Sequence, residues 1–390
     1  MKTGCPSFFI KLISRPALRL SPVIIACCLL ANTGCGSSSH TTITVAPPAP
    51  NLVYVANRDS QDISAFTADS SGALTPVSGS PFTTTSGVNN IAVNPTGTLL
   101  YASAYDSSNV GTVWAFTIAP ATGVLSPVAG SPYSVLPVPL SLVFNPAGSL
   151  LFVGAWESEA IHVFSVNTST GALTEIPNSP FPVPGGPRIL AMHPSGNFLF
   201  VANDGNNSID SYSIDSTGNL TQIANSPDSD LNQPWGIAVS PDGNYLYAVD
   251  ESGMTAVEGF SIASDGTLTT LPNSPYSIGG APLWITVDPS GSFAYSADFF
   301  SNNVSGMTID SSTGELTQMP TSPFVAGSGT TSPAAVAVNS RTTLAYVAYY
   351  GINSVGVFPI DTSGSLGVST STLVSVGTGP VAVTTAIGQP

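Results

Sequence analysis

The sequence predicts an all-β fold: a seven-bladed β-propeller of four-stranded antiparallel blades, its ring closed by N-terminal strands pairing with the C-terminal strand. Three observations carry this expectation: a composition short of charge, a block that repeats along the chain, and a turn glycine that recurs seven times. Of 390 residues only 7% are charged and 42% are hydrophobic, while glycine and proline contribute 37 and 34. A chain this apolar can bury a core and does not read as disordered. With so few charged helix formers, long solvent-exposed helices are disfavoured, and short strands joined by turns are left.

The repeat is explicit. Asn94-Pro-Thr-Gly-Thr-Leu-Leu-Tyr101 recurs as Asn145-Pro-Ala-Gly-Ser-Leu-Leu-Phe152, His193-Pro-Ser-Gly-Asn-Phe-Leu-Phe200, Ser240-Pro-Asp-Gly-Asn-Tyr-Leu-Tyr247 and Asp288-Pro-Ser-Gly-Ser-Phe-Ala-Tyr295, with a degenerate copy at 339–346. Successive prolines, from Pro95 to Pro289, are 51, 48, 47 and 48 residues apart, a period that belongs to propeller blades. Within one unit, Ile91–Val93 is a first strand and the Pro-x-Gly turn follows it, with proline fixing φ at the second turn position. Leu100–Ser103 is the second strand, Val113–Ile118 the third, and a hairpin at Ala121-Thr122-Gly123 leads to a fourth over Val124–Val128. That hairpin's glycine appears as Gly72, Gly123, Gly171, Gly218, Gly266, Gly314 and Gly364, which sets seven blades. The Asp, Ser and Thr beside these glycines read as tight-turn residues rather than calcium ligands, because the pattern recurs whatever the carboxylate count.

The ends are out of phase with the repeat. Residues 52–55 read as a second strand and Pro380-Val-Ala-Val-Thr384 as a lone first strand, so together they complete one blade and leave no open edge. Small residues at Ala92, Ala191, Ala238, Thr286 and Ala337 are expected near the crowded axis. Phe66, Phe116, Phe164, Tyr212, Phe260 and Phe358 fall on third strands, where the blades spread.

Charge and cysteine divide the chain at residue 35. All four cysteines and four of the seven basic residues lie in residues 1–35, whereas all 22 carboxylates follow. A basic stretch, an apolar run over Pro22–Ala31 and Thr33-Gly34-Cys35-Gly36 read as a signal peptide, residues 1–35. The run at Cys35 resembles a bacterial lipoprotein processing site, which implies a lipidated Cys35; an ordinary secretory signal, or cleavage beside Cys27, is the alternative. Residues 36–50 read as a flexible tether, and 51–390 as one propeller domain. The mature chain would carry three arginines, no lysine and a net charge of −19. Nucleic acid is excluded as a partner on that surface. The expected setting is export to the periplasmic or extracellular side of the bacterial cell envelope, with the membrane touched only through the lipid anchor and the protein a monomer.

Tyr54-Val-Ala-Asn57, Phe200-Val-Ala-Asn203, Gly171-Ala-Leu-Thr174 and Asn178-Ser-Pro-Phe181 resemble the lactonase family of seven-bladed propellers, over roughly residues 51–386. The resemblance implies that fold and, among its enzymes, 6-phosphogluconolactonase-like activity. Family enzymes carry Gly-Pro-Arg-His entering a first strand, followed by His-Pro; here Gly186-Pro-Arg-Ile-Leu-Ala-Met-His-Pro194 keeps Arg188 and His193 but places Ile189 at the first histidine. The family's Asn-Glu pair reads Asn203-Asp204, and one blade later Asp250-Glu251.

The candidate site follows from loops expected at one face. Arg58, Trp156, Glu157, Arg188, Trp235 and Trp284 are candidate ligand-binding residues, since aromatics among charges suit ring stacking or partner docking. Trp235 and Trp284 have packing between blades as their alternative role. Three arginines are too few for a phosphorylated or tricarboxylate substrate, and Arg58 and Arg188 face Asp59, Glu157, Glu159, Asp204, Asp250 and Glu251. The mouth is therefore expected to be aromatic and acidic, and to repel anions. His193 reads as a turn cap and His162 as a packed strand residue; neither has metal-ligand spacing, and no cofactor is expected. The leading expectation is a binding or interaction module for a neutral small molecule, glycan or envelope protein. The alternative is a lactone hydrolase in which Arg188 polarises a carbonyl and Glu251 or Asp204 is the base.

Overall fold

The computed structural model describes residues 50–224, 226, 231–250, 256–325, 329–341, 343–367 and 373–387. The expected signal peptide, Cys35 and nearly all of the tether lie outside the described residues, as does Glu251. Seven antiparallel sheets form the ring. Blade one pairs Pro380–Ile387, innermost, with Asn51–Asn57, Asp62–Ala68 and Leu74–Pro76. Blade two runs Gly87–Val93, Leu99–Tyr105, Gly111–Ile118 and Leu125–Pro127 from the axis outward, and blades three to six repeat that order with inner strands Pro139–Phe144, Pro187–Met192, Pro234–Val239 and Trp284–Val287. Blade seven is Pro333–Val338, Leu344–Tyr349, Ser354–Pro359 and Val374–Ser375. The segment after its third strand forms a single bridge, Ile360 with Leu366, where the other blades have a fourth strand.

Closure occurs as the out-of-phase ends predict. Val53 faces Thr385, Tyr54 faces Thr384 and Val55 faces Val383 across the seam. The seam continues past the strands, because the Arg58 amide donates to the Gly379 carbonyl at 2.9 Å and the Asp59 amide to Thr378 at 3.1 Å.

Neighbouring blades are joined by the repeat's own tyrosines and glycines. Tyr54, Tyr101, Tyr247 and Tyr295, all buried, donate their hydroxyls to the carbonyls of Gly123, Gly171, Gly314 and Gly364 on the next blade, at 2.6–2.9 Å. Gly123 has φ +76°, and a Cβ there would lie 2.6 Å from Leu52 of the preceding blade. The turn carboxylates cap backbone, as the tight-turn reading expects: Asp310 Oδ1 accepts from the Ser312 amide at 2.8 Å and from the Ser312 hydroxyl at 2.6 Å. Those bonds, the hydroxyl first, hold the Asp310 carboxyl below its ordinary range. Phe66, Phe116, Phe164, Tyr212, Phe260 and Phe358 are all buried between blades. Ala238, Thr286 and Ala337 line an axial channel of about 330 Å³. Between-blade packing, and not a disulfide, holds the ring of described residues.

Two second strands end on buried aspartates. Asp298 is fully buried and accepts from the Ser296 and Ser305 hydroxyls at 2.7 and 2.6 Å. Burial pushes its carboxyl up to about 6, against the opposing pull of the two hydroxyls. Asp250 is also pushed up to about 6 by burial, with only the Asn232 amide at 3.1 Å opposing.

Two outcomes follow. Deleting residues 378–390 should abolish cooperative unfolding in calorimetry, since blade one then loses its inner strand; an unchanged melting transition would contradict a closed ring. For a carboxyl whose folded pKa lies above its unfolded value, the stabilising contribution is present below about pH 4 and lost as pH rises through about 6. Asp298→Asn should therefore melt higher than the wild type at pH 7.5, with the gap closing toward pH 4; a pH-independent difference would exclude a buried charge as its cause.

Candidate functional site

A repeated irregularity builds the site. Six of the seven inner strands carry one residue out of register: the pairing slips between Val88 and Asn90, Pro139 and Ser141, Pro187 and Ile189, Pro234 and Gly236, and Pro333 and Ala335. On blade one the slip lies opposite Ala56 and Asn57, between Ala382 and Pro380. A bulge sets two residues against one and re-aims the extra side chain. The extra residues are Asn89, Leu140, Arg188, Trp235, Ala334 and Val381, and Leu283 holds the same place ahead of blade six's shorter inner strand. All seven line one cavity of about 330 Å³ at the end of the axis.

A second tier comes from residues just after the second strands. Arg58, Phe299 and Tyr350 reach the cavity from blades one, six and seven, joined by Phe300, and Asn90, Ile189 and Trp284 stand one position below the bulges. Asn90, Ile189 and Trp284 also line the channel beneath, so they separate mouth from channel. The aromatic side chains occupy consecutive blades: Trp235 on five, Trp284, Phe299 and Phe300 on six, Tyr350 on seven. The Phe299 ring is 5.3 Å from Phe300 and 5.8 Å from Tyr350.

The guanidiniums are held differently. Arg188 donates from Nη1 to Asp204 Oδ2 at 2.7 Å and lies over the Trp235 ring at 3.3 Å, with its side chain 16% exposed. Asp204 Oδ1 accepts from the Trp156 indole at 2.6 Å, so both its oxygens are engaged. Arg58, 41% exposed, has a 3.4 Å contact from Nε to Asp59 Oδ1 and a 3.2 Å bond from Nη2 to the Tyr350 hydroxyl. Tyr350 in turn donates to Asp59 Oδ2 at 3.0 Å.

Arg58, Arg188, Trp235 and Trp284 thus share one cavity. Trp284 also packs against the hydrophobic cores of the adjoining blades, so its two expected roles coexist. Trp156 and Glu157 do not share it: with Glu159, Gly185, Gly186, Gly205 and Asn206 they line a separate groove of about 260 Å³. Glu157 accepts there from the Asn109 amide at 3.0 Å. Asp204 sits behind Arg188 rather than on the cavity wall. For the described carboxylates the expectation of an acidic mouth is corrected accordingly, Glu251 lying outside the described residues. Among the described residues no carboxylate lines the cavity, because Asp59 and Asp204 are drawn onto the guanidiniums from outside it and Asp250 is buried in its blade.

The histidines behave as turn and packing residues. His193 Nδ1 pairs with the Ser195 hydroxyl at 2.8 Å and Nε2 with the Gly243 carbonyl at 2.9 Å. His162, 5% exposed, accepts the Leu136 amide on Nε2 at 2.9 Å, which places its proton on Nδ1, 2.6 Å from Glu175. No cluster of three or more potential metal ligands occurs among the described residues, and no helix there is long and apolar enough to cross a membrane. The wall residues missed from sequence are the apolar Leu140, Leu283, Ala334 and Val381 and the polar Asn89 and Asn90, whose only signal was an amide pair entering a first strand.

No curated protein sequence matches the chain. Solved structures do. A candidate 6-phosphogluconolactonase of Bacteroides fragilis superposes with a TM-score of 0.72 at 18% identity, covering 86% of this chain and 98% of that one. Another, from Bacteroides uniformis, gives 0.74 at 15% identity over 87% and 100%. The periplasmic gluconolactonase of Pseudomonas aeruginosa gives 0.70 at 19% identity over 87% and 100%. At these identities the likeness is one of fold. The family description "Lactonase, 7-bladed beta-propeller" matches residues 30–138, 76–186, 217–321 and 277–385. With repeat, ring closure and sequence match in agreement, the chain belongs to the lactonase family of seven-bladed β-propellers.

Proposed function

We propose that the central cavity binds a small ring-containing molecule and that the protein works as a ligand-binding member of its family, exported and anchored at the cell envelope through Cys35. One observation carries this reading. Among the described residues the cavity wall has five aromatic rings, two guanidiniums and two carboxamides, and no carboxylate, imidazole or amine placed to take a proton. Flat apolar walls with a few convergent polar groups favour binding and orientation of a ring. A glycan end or an exposed side chain of an envelope protein would meet the same surface.

A lactone hydrolase is the second reading, favoured by family membership and by Arg188 at the wall, where it would polarise an ester carbonyl. Asp204 is a poor base there because Trp156 and Arg188 occupy both of its oxygens, so that role falls to Glu251. A phosphorylated sugar fits either reading badly, because Arg188 is already neutralised by Asp204 and a dianion would find one loosely paired cation.

Binding and hydrolysis of a lactone panel should be measured on the wild type, Trp235→Ala and Arg188→Ala. Trp235→Ala should cost about 2 kcal/mol of binding, a factor of about 30. No hydrolysis should appear; turnover that vanishes in Arg188→Ala would establish the hydrolase instead.

A further inference from the structure

We infer that the molecule taken by the cavity is a planar aromatic acid with a single carboxylate, anchored by Arg58 at one end and by Asn90 at its other polar edge. This rests on the mouth-binding reading above and specifies the ligand's class.

The first ground is the inequality of the two cations. Arg188 is bound to Asp204 at 2.7 Å and stacked on Trp235, so it serves as part of the wall. Arg58 is the more exposed and spends only Nε and Nη2, on contacts of 3.4 and 3.2 Å. Its Nη1 makes no hydrogen bond among the described residues, which leaves much of a five-donor fork for a carboxylate. One such cation in a chain of strongly negative net charge admits one carboxylate and disfavours a polyanion.

The second ground is Asn90. It is 7% exposed, lines the cavity, and its carboxamide makes no hydrogen bond among the described residues. Its polar atoms open onto the cavity, where a ligand can reach them, and the fold does not require an amide there. The same position carries Ser141, Ile189, Gly236, Trp284, Ala335 and Ala382 on the other blades, and Ser141 is satisfied by the Leu190 amide at 3.0 Å. Asn90 and Trp284 share this position on blades two and six, three places apart around a ring of seven, so they face each other across the axis.

The third ground is the run of aromatic rings beside Arg58, whose Cζ lies 5.4 Å from the Tyr350 ring. A carboxylate on Arg58 sets an attached flat ring along Tyr350, Phe299 and Trp284, with a polar substituent at the far edge meeting Asn90. A pyranose would need partners for hydroxyls on every side, and most polar wall groups are already engaged: Asn89 donates to the Gly87 carbonyl, and Tyr350 is held by Arg58 and Asp59.

Calorimetric titration of the purified protein with 4-hydroxybenzoate, 4-hydroxycinnamate, their methyl esters and glucuronate tests this. The acids should bind at least about tenfold more tightly than the esters or glucuronate, the scale of one charge-assisted contact. Arg58→Gln should remove that preference while leaving ester binding within about twofold. Asn90→Leu should weaken the hydroxy acids yet melt no lower than the wild type, because the carboxamide makes no hydrogen bond that the fold would lose. Esters binding as tightly as acids, or glucuronate more tightly, would overturn the aromatic-acid class and leave the mouth a binding site. Absence of any binding that responds to Trp284→Ala would take down both readings.

Discussion

Pairing of residues 380–387 with residues 51–57 is the contact on which the rest of the molecule depends. It joins strands more than 300 residues apart in sequence, so its entropic cost must be recovered by the packing it permits around the whole ring. Once made, it covers the inner edge of strand 51–57 that blade one would otherwise present. It also reaches the site directly. The Arg58 amide is fixed by the Gly379 carbonyl just beyond the paired strands, and Val381 of the closing strand is part of the wall. A frayed seam would lose a cation and a wall residue together.

Given the ring, the chemistry of the mouth reduces to what each blade offers at one bulge and at the position after its second strand. The scaffold fixes those places, and side-chain identity fills them. That division explains how a protein with 22 carboxylates and three arginines beyond residue 35 presents a wall without carboxylates among its described residues. Asp59 follows Arg58 in its loop, and Asp204 meets Arg188 from just beyond the adjoining second strand, so attraction draws both onto the guanidiniums from outside the cavity. Net charge governs the field far from the surface, whereas the cavity's local sign is set by which partner of each ion pair points inward.

Much of this was legible in sequence. The block from Asn94 to Tyr101 gave the period, the seven turn glycines gave the blade number, and the unmatched strand at Pro380 gave the closure. Arg58, Arg188, Trp235 and Trp284 could be brought to one mouth because they sit at fixed offsets within the repeat. What could not be read depended on register and loop geometry. A bulge turns Asn89 and Asn90 onto the wall by shifting pairing one residue, which alternation along a strand does not reveal. Trp156 occupies the same offset as Arg58, yet its indole turns to Asp204 and the side groove. Among the described residues the acidic mouth failed for a related reason, since counting carboxylates near a rim says nothing of which way they face.

The central claim is that the cavity is a binding site whose available cation is Arg58, with Asn90 and Trp284 facing each other below it. Its most direct test is a crystal structure of the protein with 4-hydroxycinnamate. The carboxylate should lie within hydrogen-bonding distance of the Arg58 guanidinium, about 2.7–2.9 Å, with the ring against Trp284 and the phenol at Asn90. A ligand bound the other way round with its carboxylate on Arg188, or seated in the groove beside Trp156 with the cavity filled only by water, would contradict it.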